Sequence, residues 1–156
     1  MARAFVGLGS NLGDREGSIC RALDALATLP QTALVGVSRL RETDPVGIRD
    51  QPRFLNGAAE LETGLGPREL LEALLGIERD LGRDRASVPA GGPRAIDLDL
   101  LVYDDLEVHA DGLEIPHARL AERRFVLEPL AELDPALYVP GSGPVETLLT
   151  ELDSSA

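Results

Sequence analysis

A chain of 156 residues with 44% apolar side chains is long enough for one cored domain, and its net charge of −12 argues against a general nucleic-acid or membrane surface. All fifteen basic residues are arginines, which excludes every lysine mechanism, the Walker-A phosphate loop and Schiff-base chemistry among them. Cys20 is the only cysteine, which rules out an internal disulfide or a cysteine-rich zinc site.

Residues 4–8 predict a short apolar strand. Gly9-Ser10-Asn11-Leu12-Gly13 turns the chain and Asp14 is placed to cap a helix. In that helix Ile19, Ala22, Leu23, Leu26 and Leu29 recur at helical spacing until Pro30. Cys20 falls among these apolar positions and reads as a small core residue. A second strand is predicted over 34–41, running into Glu42-Thr43. Residues 44–53, with Pro45, Gly47 and Pro52, form a long exposed loop of the kind that carries function. A third strand follows over 54–61. Gly66-Pro67 starts a second helix with the buried stripe Leu70, Leu71, Leu74, Ile77 and Leu81, and Gly82 ends it. Residues 83–93, rich in arginine, glycine and proline, lead into an apolar strand over 96–103. Segments 106–108 and 113–115 can pair as a hairpin around Ala110-Asp111-Gly112. Beyond Ala118 the chain reads as mainly helical, interrupted at Pro129, Pro135 and Pro140, with a last helical turn or two over 145–152.

The order β-α-β-β-α-β predicts an α+β, ferredoxin-like fold. One antiparallel sheet carries its two crossover helices on one face, and the C-terminal helices are free to cover the other. No repeat or linker divides the chain, so residues 1–156 read as a single domain. The N-terminus carries no basic-then-apolar signal and no apolar run reaches membrane-spanning length, so a cytoplasmic protein is expected.

Two carboxylates interrupt the strand after the second loop. Side chains alternate on a strand, so Asp97 and Asp99 point the same way, with Cα atoms roughly 7 Å apart. Two like charges on a buried face need neutralising, and a pair of hard divalent cations would do so while gathering a polyphosphate. A half-exposed strand with an acidic outer face fits the same alternation. Arg83, Arg85 and Arg94 precede this strand and Arg123-Arg124 follow it. Guanidinium groups suit phosphate oxygens, although ion pairing with the abundant carboxylates would also use them. His117, after Ile115-Pro116, could donate to a phosphate or bridge a turn, and His109 reads as solvated. Phe54 and Phe125 stand beside polar residues, where they could stack on a flat heterocycle or pack in the core. Asn56, two residues beyond Phe54 on the same strand face, could read a heterocycle edge. The turn Gly7-Leu8-Gly9-Ser10-Asn11-Leu12-Gly13 is not a dinucleotide fingerprint, because its third glycine falls one residue late; close packing against neighbouring backbone suits it better.

Four segments in this order resemble the 6-hydroxymethyl-7,8-dihydropterin pyrophosphokinase family. They are Gly9-Ser10-Asn11-Leu12, then Asp50-Gln51-Pro52-Arg53-Phe54-Leu55-Asn56, then Gly92-Pro93-Arg94-Ala95-Ile96-Asp97-Leu98-Asp99, and finally Pro116-His117 through Arg123-Arg124-Phe125-Val126-Leu127. The resemblance implies transfer of pyrophosphate from ATP to the pterin hydroxymethyl group with release of AMP. By position it implies Asp97 and Asp99 as ligands of two Mg²⁺ ions, and Glu78, Arg83, Arg85, Arg94, His117 and Arg123 as the ATP site. Arg83 and Arg94, with the two aspartates, would be the catalytic groups. Thr43, Pro45, Val46, Phe54, Asn56, Asp97 and Phe125 would form the pterin site, the two phenylalanines flanking the ring. The implied partners are ATP and the pterin, without nucleic acid or membrane, in a monomer or weak dimer. Departures from the family pattern fall at Gly91, where a tryptophan is common, and at Leu75, Gly112, Glu114 and Ala118. The readings that compete are a non-catalytic ferredoxin-like binding module and a metal-dependent nuclease; the acidic net charge counts against the nuclease.

Overall fold

The computed structural model describes residues 1–44, 51–82 and 95–154. The first strand, β1 (Ala2–Ser10), lies near the middle of an antiparallel sheet, with β4 (Phe54–Thr63) on one side and β5 (Asp97–Tyr103) on the other. Beyond β4 come β2 (Thr32–Val37) and β3 (Arg41–Thr43), which pair in succession along the same edge, giving the order β2-β4-β1-β5 with β3 also on β4. The predicted second strand is therefore broken. The register of β2 shifts between Leu34 and Gly36. At residue 38 the Ser38 hydroxyl accepts the Ala58 N–H (2.9 Å) and donates to the Arg39 carbonyl (3.0 Å), replacing ladder bonds where the strand jogs.

Alternation along the strands divides the core into two layers. Ala4, Val6 and Leu8 of β1 face α1 (Arg15–Ala27) and α2 (Pro67–Asp80), packing against Ile19, Ala22, Leu26, Leu70 and Leu74. Phe5 of β1, with Ala58 and Leu101, faces the other way, against Leu127 and Leu130 of α3 (Arg124–Leu133) and Leu148 of α4 (Val145–Ser154). Helices thus cover both faces of a mixed α and β fold.

The caps follow the sequence. The Asp14 side chain accepts the Gly17 N–H (3.0 Å) at the start of α1. Gly82, at φ +94°, takes the left-handed conformation just past α2 that favours glycine. Cys20 is exposed, not a core residue. The buried stripe of α1 runs through Ser18, Ile19, Ala22 and Leu26, and Cys20 falls about a quarter-turn off it. The first strand of the hairpin lies two residues later than expected, β6 (Val108–Ala110) pairing with β7 (Leu113–Ile115) around Asp111-Gly112. Pro129 does not interrupt its helix but lies buried inside α3, where its missing N–H removes one helical bond. A two-residue ladder, β8 (Tyr138–Val139) with β9 (Gly143–Pro144), occupies part of the region read as helical. Among the described residues no helix is long and apolar enough to cross a membrane.

Candidate active site

The end of β1 sets out the site. Gly9 pairs with Asn56 of β4 on one side and with Asp97 of β5 on the other, while Gly7 pairs with Ala58 and Asp99. With strands about 4.8 Å apart, this register places Asn56 and Asp97 roughly 10 Å apart across a glycine floor. A Cβ on Gly9 would lie 2.9 Å from Asn56 Oδ1 and 3.8 Å from Asp97 Cβ. Here glycine is required for space.

Over this floor opens a cleft of about 230 Å³. Ligand sites commonly run to about 300–1,000 Å³, so this volume suits one flat ring system. One wall is Thr43, Phe54 and Asn56, the other Asp97 and Asp99, and the start of α3 supplies Arg123, Phe125 and Val126. Sequence positions spread over more than eighty residues therefore meet in one place. The Asn56 amide donates to the Thr43 hydroxyl, fixing the Asn56 side chain at the wall of the cleft. The Arg123 guanidinium lies 5.6 Å from the Phe125 ring centroid, a cation–π distance, which couples the cationic and aromatic sides of the cleft. Arg123 also stands at the N-cap of α3, where the positive end of the helix dipole adds to its charge.

The Asn11 side chain holds the first wall in place. It is buried, and its Nδ2 donates to Gln51 Oε1 (2.9 Å) and to the Pro52 carbonyl (3.0 Å). The turn after β1 thus grips the segment that returns into β4, which is the close packing its composition suggested. Outside it, Glu42 accepts from Arg15 (2.6 Å) and Arg53 (3.5 Å), and Arg15 also donates to the Arg53 carbonyl (3.0 Å). Arginine contact and hydrogen bonding hold the Glu42 carboxyl below the usual carboxylate range.

His117 is half-buried beside the cleft. Its backbone N–H donates to the Leu101 carbonyl (2.9 Å) and its Nδ1 accepts from the Arg119 N–H (3.3 Å), which leaves the proton on Nε2 in the neutral ring. Burial pushes its pKa below the usual histidine value, Arg123 pushes it further down, and Asp97 pulls it back up. Glu78 lies elsewhere. It is 2% exposed on α2, and its Oε2 accepts the Leu98 N–H (2.8 Å) between the two aspartates. His109 is not merely solvated, since it pairs with Glu114 across the hairpin (2.8 Å).

Pro45, Val46, Arg83, Arg85, Gly91 and Arg94 lie outside the described residues. Sequence reasoning missed Gly7, Leu8, Gly9, Asp44, Gly57, Leu101 and Val126 as lining residues. A signal for Gly7 and Gly9 existed, because their two-residue spacing at the end of a strand puts both on one face, where bare backbone admits a ligand.

Asp97 and Asp99 are two hard oxygen donors on one face of a cleft, the donor set that Mg²⁺ takes when phosphates and water supply its other ligands. Among the described residues no group of three His, Cys, Asp or Glu side chains gathers as a metal cage. The arrangement can bind anions between Arg123 and any cations that the carboxylates would hold, beside the wall of Thr43, Phe54 and Asn56.

Known proteins resemble this chain over most of its length. The model of the 7,8-dihydro-6-hydroxymethylpterin-pyrophosphokinase family matches residues 5–135. The 2-amino-4-hydroxy-6-hydroxymethyldihydropteridine pyrophosphokinase of Pseudomonas aeruginosa is 46% identical over 147 residues, covering 94% of this chain and 90% of that protein. The protein of the same name from Methylorubrum extorquens is 43% identical, covering 99% of this chain and 96% of its own. Among solved structures, a Plasmodium falciparum HPPK-DHPS superposes on 98% of this chain with a TM-score of 0.75 and 14% identity. This chain spans 46% of that structure, and at such identity the likeness concerns the fold alone. On the family match and these relatives, the chain belongs to the 7,8-dihydro-6-hydroxymethylpterin-pyrophosphokinase family.

Proposed function

We propose that the cleft transfers the β,γ-pyrophosphoryl group of ATP to the hydroxymethyl oxygen of 6-hydroxymethyl-7,8-dihydropterin, releasing AMP in a step of folate biosynthesis. The observation that carries this reading is the meeting of Asn56 and the Asp97–Asp99 pair on either side of Gly9. A heterocycle reader and a phosphate-gathering pair then stand about one ring system apart.

In this reading Asn56, held by Thr43, pairs with the heterocycle edge, and Phe54 and Phe125 take its two faces. Asp97 and Asp99 would hold two Mg²⁺ ions, which would supply neutralisation of the phosphate charge. Arg123, with Arg83, Arg85 and Arg94, balances the negative charge that develops during transfer. His117, neutral with its proton on Nε2, donates to a phosphate oxygen. Pro45 and Val46 complete the heterocycle pocket. These residues position and balance charge, and little covalent chemistry falls to the protein. We further assign the sheet to the ferredoxin-like class, taking β2 and β3 as one interrupted strand of a single domain.

The test is incubation with ATP, Mg²⁺ and the hydroxymethylpterin, with nucleotide products separated by chromatography. AMP formed in step with the pterin diphosphate is expected. ADP in its place refutes pyrophosphoryl transfer, and absence of any turnover with intact binding favours a non-catalytic binding module.

A further inference from the structure

Six charged residues lie on α2, and five of them, Arg68, Glu69, Glu72, Arg79 and Asp80, are exposed. The sixth, Glu78, is 2% exposed. A carboxylate taken out of water is unfavourable unless its oxygens are engaged. Oε2 is engaged by the backbone N–H of Leu98 (2.8 Å).

That N–H occupies a particular place. Among the described strands β5 has a ladder partner on one side only, β1, and the Leu98 N–H turns to Glu78 instead. Leu98 separates Asp97 from Asp99, and its own side chain is buried in the layer between the sheet and α2. The two aspartates line the cleft on the opposite face. A hydrogen bond to buried Glu78 therefore fixes the strand midway between the two carboxylates.

We infer that Glu78 is a positioning residue for the carboxylate pair, acting on bound metal through the backbone of β5. The inference rests on the reading of Asp97 and Asp99 as the Mg²⁺ site. Its logic is that of outer-shell partners generally: fixing the ligands' backbone fixes the spacing at which they present their oxygens. Glu78 then governs how much Mg²⁺ the nucleotide needs in order to bind, and acts on the heterocycle only through Asp97.

Three variants separate this role from direct nucleotide contact. Glu78→Gln keeps an acceptor oxygen at the same reach, Glu78→Asp keeps the charge but is one methylene short, and Glu78→Ala has neither. Three measurements apply to each folded variant. Amide exchange of Leu98 is followed by NMR in metal-free protein. Binding of α,β-methylene-ATP is titrated against Mg²⁺ by calorimetry, with hydroxymethylpterin binding measured in parallel. Glu78→Asp and Glu78→Ala are expected to expose the Leu98 amide and to raise the Mg²⁺ midpoint by about tenfold. Pterin affinity should change less than the Mg²⁺ midpoint, since only Asp97 of the pair also belongs to the heterocycle site, and Glu78→Gln should stay near wild type in all three measurements. Should Glu78→Ala not fold, Glu78→Asp against Glu78→Gln carries the test. An unchanged Mg²⁺ midpoint in Glu78→Asp, or weaker nucleotide binding at saturating Mg²⁺ with an unchanged midpoint, overturns the inference. A wild-type protein that binds the nucleotide without regard to Mg²⁺ overturns the metal reading itself, and this inference with it.

Discussion

The two walls of the cleft are held by different physics. Both walls share a ladder with β1; the carboxylate wall on β5 is fixed further by a buried hydrogen bond that the Leu98 N–H donates to Glu78. The heterocycle wall on β3 and β4 is held by the buried Asn11 and then by ion pairs among Arg15, Glu42, Arg53 and Asp44, all open to solvent in some degree. Buried bonds do not respond to salt, whereas exposed pairs are screened and individually weak. A wall presenting two like charges at one spacing needs the first kind of support. A wall that meets a neutral ring can use the second.

Mutations can break this contrast in descending order of effect. Asp97→Ala or Asp99→Ala should lower kcat/KM for AMP formation by at least about 10³-fold. Both variants should remain folded by circular dichroism, so that the loss of turnover is read as a loss of site chemistry. Full activity in both variants would remove the metal assignment. Asn56→Ala, on the other wall, should weaken pterin binding by about 10–100-fold, since a ring donor or acceptor loses its partner, while Mg²⁺-dependent nucleotide binding holds in calorimetry. Gly9→Ala should weaken pterin binding about tenfold, because the new Cβ, at 2.9 Å from Asn56 Oδ1, must displace that amide. A crystal structure of the variant with Asn56 unmoved would contradict this. Glu42→Gln should weaken pterin binding only about twofold at low salt. The difference should vanish near 1 M salt, where the screening length falls to about 3 Å.

His117 gives the smallest effect and tests the carboxylate wall by titration. Burial lowers its pKa below the ordinary 6.5, Arg123 lowers it further, and Asp97 raises it. A lowered native pKa means that the unfolded chain takes up the proton first. The contribution to stability is therefore complete above about pH 6.5 and is lost as pH falls through the native value. NMR titration of the ring in metal-free protein should give a midpoint below 6.5, and Asp97→Asn should move it lower still. A midpoint at or above 6.5 would contradict the burial that sets it.

Periodicity and punctuation carried most elements. Leu70, Leu74 and Ile77 mark the buried face of α2, and Gly66-Pro67 and Gly82 mark its ends, because these are local properties of the chain. The break between β2 and β3 was not legible, since it depends on Ser38 meeting the backbone of Ala58 twenty residues away. Cys20 misled because apolar neighbours in sequence say nothing of its own angle on the helix. The site residues Asp97, Asn56 and Arg123 could be named from their chemistry and family pattern. Gly9 could not, because its role is an absence of atoms and appears only when the register sets it between Asn56 and Asp97. The burial of Glu78 is hidden in the same way: one more acidic residue on a charged helix is unremarkable until α2 packs beneath β5.

The pairing of β1 with both β4 and β5 has a consequence for synthesis. The ribosome delivers β1 first, yet its second neighbour ends at Tyr103, about two thirds of the way along the chain. Until then Gly9 can have at most Asn56 beside it, and the aspartates that complete the cleft do not yet exist. Contacts of such long sequence separation also slow folding. A nascent chain stalled before β5 should therefore hold an unfinished heterocycle slot and no phosphate site, so pyrophosphoryl transfer begins only after the sheet closes.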